Sequence, residues 1–392
     1  MHSAVVFSNG FAPADEAAYR RLATVSPMVI HGPNCMGLIN LSDSLRLYPS
    51  TVTDKVRPGR IALIAQSGSA AISLMNSLEA GLSKVVTMGS EWQVTAPDYM
   101  RWLATDDATA VVGIVLESIK DPGSFADAAS ALRVAGKSLV VLKVGQSRIG
   151  AAAVKAHTGA LISPSDAYDC FFDSCGIPTA RDYDELIATM ECFAACRARP
   201  RGGRVGIVGI SGGETALVCD IATAQGLTLA QWRRATEDHI RAALPGAAGV
   251  NPLDLGATPN HTVDRDETAI TAILDDPEVD QVLVIQDSQA TLTSTMRGNY
   301  TPRITAYGRH AASTDKPLVM VSPTAENTHP EIVAAMEAQG VAVLRGLRPG
   351  VAALRNLGIL AAGPSDPAWR PARSTATATV PFAAEISACR GA

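Results

Sequence analysis

The sequence predicts a doubly wound α/β fold, and three observations carry that prediction. Short β-branched runs alternate with longer amphipathic segments along the chain. The runs are continuously apolar, as suits strands buried on both faces of a parallel sheet. One strand–turn–helix pattern also occurs twice. "GRIALIAQSGSAA" (59–71) and "GRVGIVGISGGETA" (203–216) share G-R-[I/V]-x-[L/I]-[I/V]-x-x-S-G.

Taken in order, the first 56 residues offer a strand, "SAVVFS" (3–8), a helix, "DEAAYRRLATV" (15–25), and a second strand, "MVIHG" (28–32), leading into "PNCMG". That is half of an α/β domain. Strand candidates then follow at "RIALIAQ" (60–66), "KVVTM" (84–88), "VVGIVLE" (111–117) and "LVVLKVG" (139–145). A second series comprises "RVGIVGI" (204–210), "DQVLVIQD" (280–287), "PLVMVS" (317–322) and "VAVL" (341–344). Helical patterns such as "SFADAASALRVAG" (124–136) and "PEIVAAMEAQG" (330–340) lie between them and close on glycine, a common helix end. The repeat implies two similar open-sheet domains, at 57–200 and 201–364, with "CRARPRGG" (196–203) as the linker. From 365 to 392 proline and small residues without periodicity predict a flexible tail or tether.

Composition excludes several classes of function. The 392 residues are 47% hydrophobic and 18% charged, a globular balance with enough chain for two or three cores. With a net charge of −5 and no basic block, neither a nucleic acid nor an anionic membrane is an expected partner. No apolar run approaches the ~20 residues of a membrane span, and the N-terminus lacks the pattern of a signal peptide. The seven cysteines form no CxxC pair; Cys192 and Cys196 are four apart, with no His/Cys set to complete a metal site. They read as small buried apolar residues in a reducing cytoplasm.

Some residues could carry chemistry. The first turn of a helix presents unpaired N–H groups and a partial positive charge, so it can hold a phosphate. Ser67-Gly68-Ser69 and Ser211-Gly212-Gly213 each stand at such a strand-to-helix turn. Glycine there also serves simple packing, and singly each turn supports both readings. Glu117 ends the run "VVGIVLE" on the edge where open α/β sheets bind ligands. His157, in "KAHTGAL" (155–161), follows the next strand by twelve residues, within reach of that edge. A carboxylate bonded to one imidazole nitrogen fixes the tautomer and frees the other as a nucleophile. The plainer readings are a solvated strand-end carboxylate and a surface histidine. The segment "GQSRIGAAAVKAHTGA" (145–160) reads as a long Gly/Ala-rich loop able to travel between sites.

"HGPNCMGLIN" (31–40), "LES" (116–118), "AHTGAL" (156–161), "SGG" (211–213) and "NPLDL" (251–255) occur in an order that resembles the NDP-forming acyl-CoA synthetases. This is the superfamily of the succinyl-CoA synthetase α subunit and the ADP-forming acetyl-CoA synthetase. The resemblance runs from the N-terminus to about residue 363. It implies a partial Rossmann-type CoA-binding segment at 1–56, then two flavodoxin-like domains with doubly wound parallel sheets. By the same resemblance His157 is the transiently phosphorylated histidine and Glu117 the carboxylate that orients it. Ser67, Gly68, Ser69, Ser211, Gly212 and Gly213 hold the phosphoryl group, and Gly32, Pro33, Asn34 and Cys35 line the CoA thiol and acyl site. The implied substrates are a carboxylic acid and CoA. ATP and Mg2+ are expected at an ATP-grasp partner or module, in an oligomer.

The chain departs from the family pattern in some respects. It is expected to start partway through the CoA-binding domain and to lack the ATP-grasp module. Glu214 follows "SGG" where a neutral residue is usual, and a carboxylate there opposes an anion. "GFAPADE" (10–16) lacks the acidic residue often found directly after "GF". Two expectations therefore stand: the α-like component of an acid–thiol ligase, or a non-catalytic or truncated paralogue that binds CoA or acyl-CoA.

Overall fold

The computed structural model describes residues 2–158, 165–257 and 262–365; the expected tail from 366 onward lies outside the described residues. The described residues divide into two compact units, one formed by the chain up to Ile187 with the residues from Gly363, the other by Ala188–Ala362.

The first unit holds two sheets. Strands β1 (Ser3–Val5) and β2 (Val29–His31) pair in parallel around the helix Pro13–Val25. The larger sheet comprises β3 (Gly37–Asn40), β4 (Leu45–Leu47), β5 (Pro58–Ala65), β6 (Leu82–Thr87), β7 (Val111–Leu116), β8 (Ser138–Lys143) and β9 (Thr179–Ala180), in the order β4-β3-β6-β5-β7-β8-β9. From β6 to β9 all pairings are parallel. Numbered from β5, the parallel order is 2-1-3-4-5, the flavodoxin-like winding. The sequence reading did not anticipate β3 and β4, which add an antiparallel edge, Leu38 opposite Leu47 and Gly37 opposite Thr87. Residues 37–47 thus belong by hydrogen bonding to the sheet of the following segment. Their turn is fixed locally, the Asn40 amide donating to Asp43 at 2.7 Å.

The strands form where β-branched and aliphatic residues run together, and Ile61–Ala65 have no exposed surface. Ala62, Ile64, Val112, Ile114, Leu139 and Val141 pack on Phe125, Phe171 and Phe172 from the helices Pro122–Val134 and Ser165–Cys175. The helix Pro122–Val134 starts two residues before the pattern read at 124–136, because the Asp121 carboxylate caps Ser124 N at 3.0 Å, and it ends just before Gly136, φ +72°.

The segment read as a long loop differs. Arg148–Thr158 is a helix, entered through Ser147, whose hydroxyl accepts from Gly150 N at 3.0 Å. Its alanine run has high helix propensity, which outweighs the single glycine.

The second unit repeats the design. Strands β10 (Arg204–Gly209), β11 (Thr228–Leu229), β12 (Leu253–Asp254), β13 (Gln281–Ile285), β14 (Leu318–Ser322) and β15 (Ala342–Arg345) form a parallel sheet in the order β11-β10-β13-β14-β15, with β12 also on β10. Numbered from β10, the order is again 2-1-3-4-5. The motif "NPLDL" has a structural part here: Asn251 accepts from Ile207 N at 2.9 Å and donates to Val205 and Ala230 carbonyls at 2.8 and 2.9 Å, tying β10 to the chain beyond β11.

No helix among the described residues is long and apolar enough to cross a membrane.

Candidate functional site

In a 2-1-3-4-5 sheet the strand order reverses between the first and third strands, and ligands bind in the crevice at their carboxyl ends. In the first unit that switch point lies between β5 and β7. There β5 runs into Gln66 and Ser67, and β7 runs into Glu117 and Ser118.

Gln66 organises this edge. Its Oε1 accepts from the backbone N–H of Glu117 and, at 3.0 Å, of Ser118. Its Nε2 donates to the Ser118 carbonyl and to Glu91 Oε1, both at 2.9 Å. One amide thus fixes the start of the segment carrying Glu117 against the strand that carries the serine turn. Glu91 has a left-handed φ of +49° and is 4% exposed. Burial pushes its carboxyl above the usual carboxylate value, opposed by the Gln66 hydrogen bond and the Lys120 charge. The Lys120 ammonium in turn donates to the Ser90 and Glu91 carbonyls. A cavity of about 120 Å³ opens beside these groups, lined in part by Gln66, Glu91, Ser118, Lys120 and Ser124.

Ser67 caps the helix Gly68–Ser77, its hydroxyl accepting from Ala70 N at 3.4 Å, and Ser69 is exposed in the first turn. Gly68 lies against the loop after β2: a Cβ built there would meet Met36 Cγ at 2.6 Å. The Gly32–Cys35 loop therefore adjoins the Ser67 turn. It is tightly held, with Asn34 N donating to the Ser8 carbonyl at 2.9 Å, Ser90 N to the Pro33 carbonyl at 2.8 Å, and Asn9 to Asn34 Oδ1 at 3.1 Å. Gly32 (φ +96°) and Asn34 (φ +58°) both adopt left-handed backbone. Cys35 is buried, and burial pushes its thiol up; its Sγ lies 3.4 Å from the Val6 carbonyl.

His157 falls in the last turn of the helix Arg148–Thr158, which follows β8 in the same unit. Its side chain, like that of Lys155 and residues 159–164, lies outside the described residues.

The second turn sits at the equivalent switch point of the other unit. Ser211 caps the helix Gly212–Ala224, accepting from Glu214 N at 3.4 Å. Its surroundings are acidic. A Cβ at Gly212 would stand 2.9 Å from Asp254 Oδ2. Glu214 has its carboxyl raised by burial and by the negative charge of Asp287. Asp287 follows β13 as Glu117 follows β7, and "LES" and "QDS" occupy matching places. Tyr300 donates its hydroxyl to Asp287 at 3.2 Å.

Sequence reasoning missed Gln66, Glu91 and Lys143. The Lys143 ammonium ends β8 beside Glu117 and stands 4.6 Å above the Tyr168 ring. The clue in the sequence is polar residues interrupting apolar runs at strand ends. No group of three or more His, Cys, Asp or Glu among the described residues could hold a metal ion.

Comparison with known proteins agrees with this geometry. Residues 58–193 match the family described as succinyl-CoA ligase like flavodoxin domain. The alpha subunit of the ADP-forming acetate–CoA ligase II of Pyrococcus furiosus is 30% identical over 291 residues, 72% of this chain and 62% of that one. The ADP-forming acetate–CoA ligase II of Archaeoglobus fulgidus is 30% identical over 71% of this chain and 43% of its own length. The chain thus spans less than two thirds of either relative. A fold likeness, with TM-score 0.75 and 24% identity, covers 92% of this chain and 77% of an acetyl-coenzyme A synthetase 1 of Ca. Korarchaeum cryptofilum described in complex with phosphate and ADP. Residues 58–193 are therefore a succinyl-CoA ligase like flavodoxin domain, and the chain is related to the ADP-forming CoA ligases.

Proposed function

We propose that this chain is the α-like component of an NDP-forming acyl-CoA synthetase. In the reaction a carboxylic acid, CoA and ATP become acyl-CoA, ADP and phosphate through an acyl phosphate and a phosphohistidine at His157. The observation that carries the reading is the Gln66 bridge. It fixes Glu117 next to the Ser67–Ser69 helix start, at the switch point of the unit whose next strand leads into the His157 helix. Glu117 accepts a hydrogen bond from one imidazole nitrogen, and the other nitrogen attacks phosphorus. The phosphoryl oxygens are met by the N–H groups of the Ser67–Ser69 turn, and charge-assisted bonds from such donors offset the desolvation of the anion. Ser211, Gly212 and Gly213 supply a second helix start of the same kind. Gly32, Pro33, Asn34 and Cys35 border the first turn and receive the thiol end of CoA. In the forward direction a carboxylate takes the phosphoryl group from the histidine. The CoA sulfur then attacks the acyl carbon and phosphate leaves. ATP and Mg2+ act at an ATP-grasp partner, and residues 1–56 contribute to CoA binding.

The acyl half-reaction run backwards tests this without ATP. Incubating the chain with a panel of short acyl-CoAs and radiolabelled phosphate is expected to give an acid-labile, base-stable phosphoprotein. Equal labelling of His157→Ala would refute the assignment. The acidic surroundings of the second turn favour one other reading, a CoA-binding paralogue without phosphoryl transfer; CoA binding with no labelling by any acyl-CoA would select it.

A further inference from the structure

The two units form an internal comparison, because each places a carboxylate after the third strand of the same winding. Register then shows where they differ. In the first unit Leu116 pairs with Lys143, so the residue beside the Glu117 end of β7 is a lysine. In the second unit Ile285 pairs with Val321, which puts Ser322 at the matching place beside the Asp287 end of β13. The first sheet therefore carries a cation beside the carboxylate end of its third strand, where the second carries a serine.

That cation is fixed rather than free. Lys143 is 6% exposed, its ammonium donates to the Val144 carbonyl, and it lies over the Tyr168 ring. Tyr168 belongs to the helix Ser165–Cys175, and its phenol meets the backbone of Ile119, two residues past Glu117. The charged and titratable groups that the described residues bring to it are Glu117 from the end of β7 and the Tyr168 phenol. Burying an ammonium in a sheet edge costs stability, and the packing of an aliphatic core does not call for one.

We propose that Lys143 is a positioning residue for phosphoryl transfer: its ammonium, pinned over Tyr168, holds the Glu117 carboxylate in place to orient the imidazole. This rests on the phosphohistidine reading above. Burial lowers the Lys143 ammonium to about 8, with Glu117 acting in the opposite direction, so the ammonium is present at neutral pH and lost as pH rises through that value.

The test is the rate of labelling of the full chain by acyl-CoA and radiolabelled phosphate, measured from pH 6 to 9.5 for wild type, Lys143→Arg, Lys143→Met and His157→Ala. The wild-type rate is expected to fall about tenfold per pH unit above pH 8. Lys143→Arg retains the rate to pH 9.5, and Lys143→Met labels at least tenfold more slowly at pH 7 without losing thermal stability there. A purely structural lysine would give the reverse, a less stable Lys143→Met chain. An alkaline fall unchanged in Lys143→Arg, or wild-type labelling in Lys143→Met, overturns the inference alone. Equal labelling of His157→Ala overturns the reading on which it rests.

Discussion

Replacing Gln66 by leucine removes a side chain that joins three segments of the first switch point. Four hydrogen bonds disappear, two from the N–H groups of Glu117 and Ser118 and two to the Ser118 carbonyl and the Glu91 carboxylate. A buried group left without a partner costs about 1–3 kcal/mol. Gln66 itself is half-buried, so water replaces part of the loss, and about 3–4 kcal/mol is the expected total. For a unit of this size that corresponds to a fall in Tm of roughly 6–16 °C, at ~2–4 °C per kcal/mol. The sign of the pH dependence follows from Glu91. Its carboxyl already lies above the ordinary value because of burial. A raised acid binds more protons folded than unfolded, so it costs stability as pH rises past the ordinary value. Losing the Gln66 bond raises it further, and the deficit of Gln66→Leu is larger at pH 7.5 than at pH 5. Calorimetry of the two proteins at both pH values measures this. A Tm within 2 °C of wild type at pH 7.5, or a deficit that grows toward acid, would refute the view that Gln66 organises this edge.

Other consequences are as direct. Gly89 has φ +60°, and a Cβ there would overlap the carbonyl oxygens of Pro33 and Asn34. Gly89→Ala should therefore destabilise by about 2–4 kcal/mol and weaken CoA binding by displacing the Gly32–Cys35 loop, as thermal melts and CoA titration would show. Lys84, 1% exposed, pairs with Asp106 at 2.9 Å. Burial alone would raise the Asp106 carboxyl, but the Thr109 hydroxyl and the Lys84 ammonium outweigh it and hold it below the usual value. This stability is present above about pH 4 and lost as pH falls through the folded value; Asp106→Asn should cost about 2–4 kcal/mol at pH 7 and show a flatter acid limb in urea unfolding. At the second turn, Glu214→Gln should strengthen binding of inorganic phosphate about two- to fivefold at pH 8, through relief of a repulsion worth ~0.5–1 kcal/mol, with the gain fading at pH 4; calorimetric titration reads it.

Much of the fold was legible because buried parallel strands write themselves as unbroken apolar runs. The runs at 60–66, 111–117, 139–145 and 204–210 became β5, β7, β8 and β10 within a residue or two. The doubled Ser-Gly turn marked both switch points, since strand-to-helix turns there carry a Ser cap and Gly. The antiparallel edge β3–β4 was not legible: "GLINLSDSLRL" has short, half-polar strands whose pairing depends on β6, far along the chain. Lys84 and Lys143 were hidden for a related reason. A lysine in or at the end of a strand normally reaches water, and its burial here comes with Asp106 in one case and with Tyr168 and Glu117 in the other, partners distant in sequence. The 145–160 segment misled because its glycines suggest a loop, while its alanines decide for helix.

The most direct test of the central claim is to locate the phosphoryl group. After incubation with acyl-CoA and phosphate, electron-transfer mass spectrometry at neutral to alkaline pH should find the modification on His157 in the "KAHTGAL" peptide, and it should vanish when excess CoA and the matching acid are added to reverse the step. Phosphate on any other residue, or a peptide that stays unmodified with every acyl-CoA tried, would contradict the account.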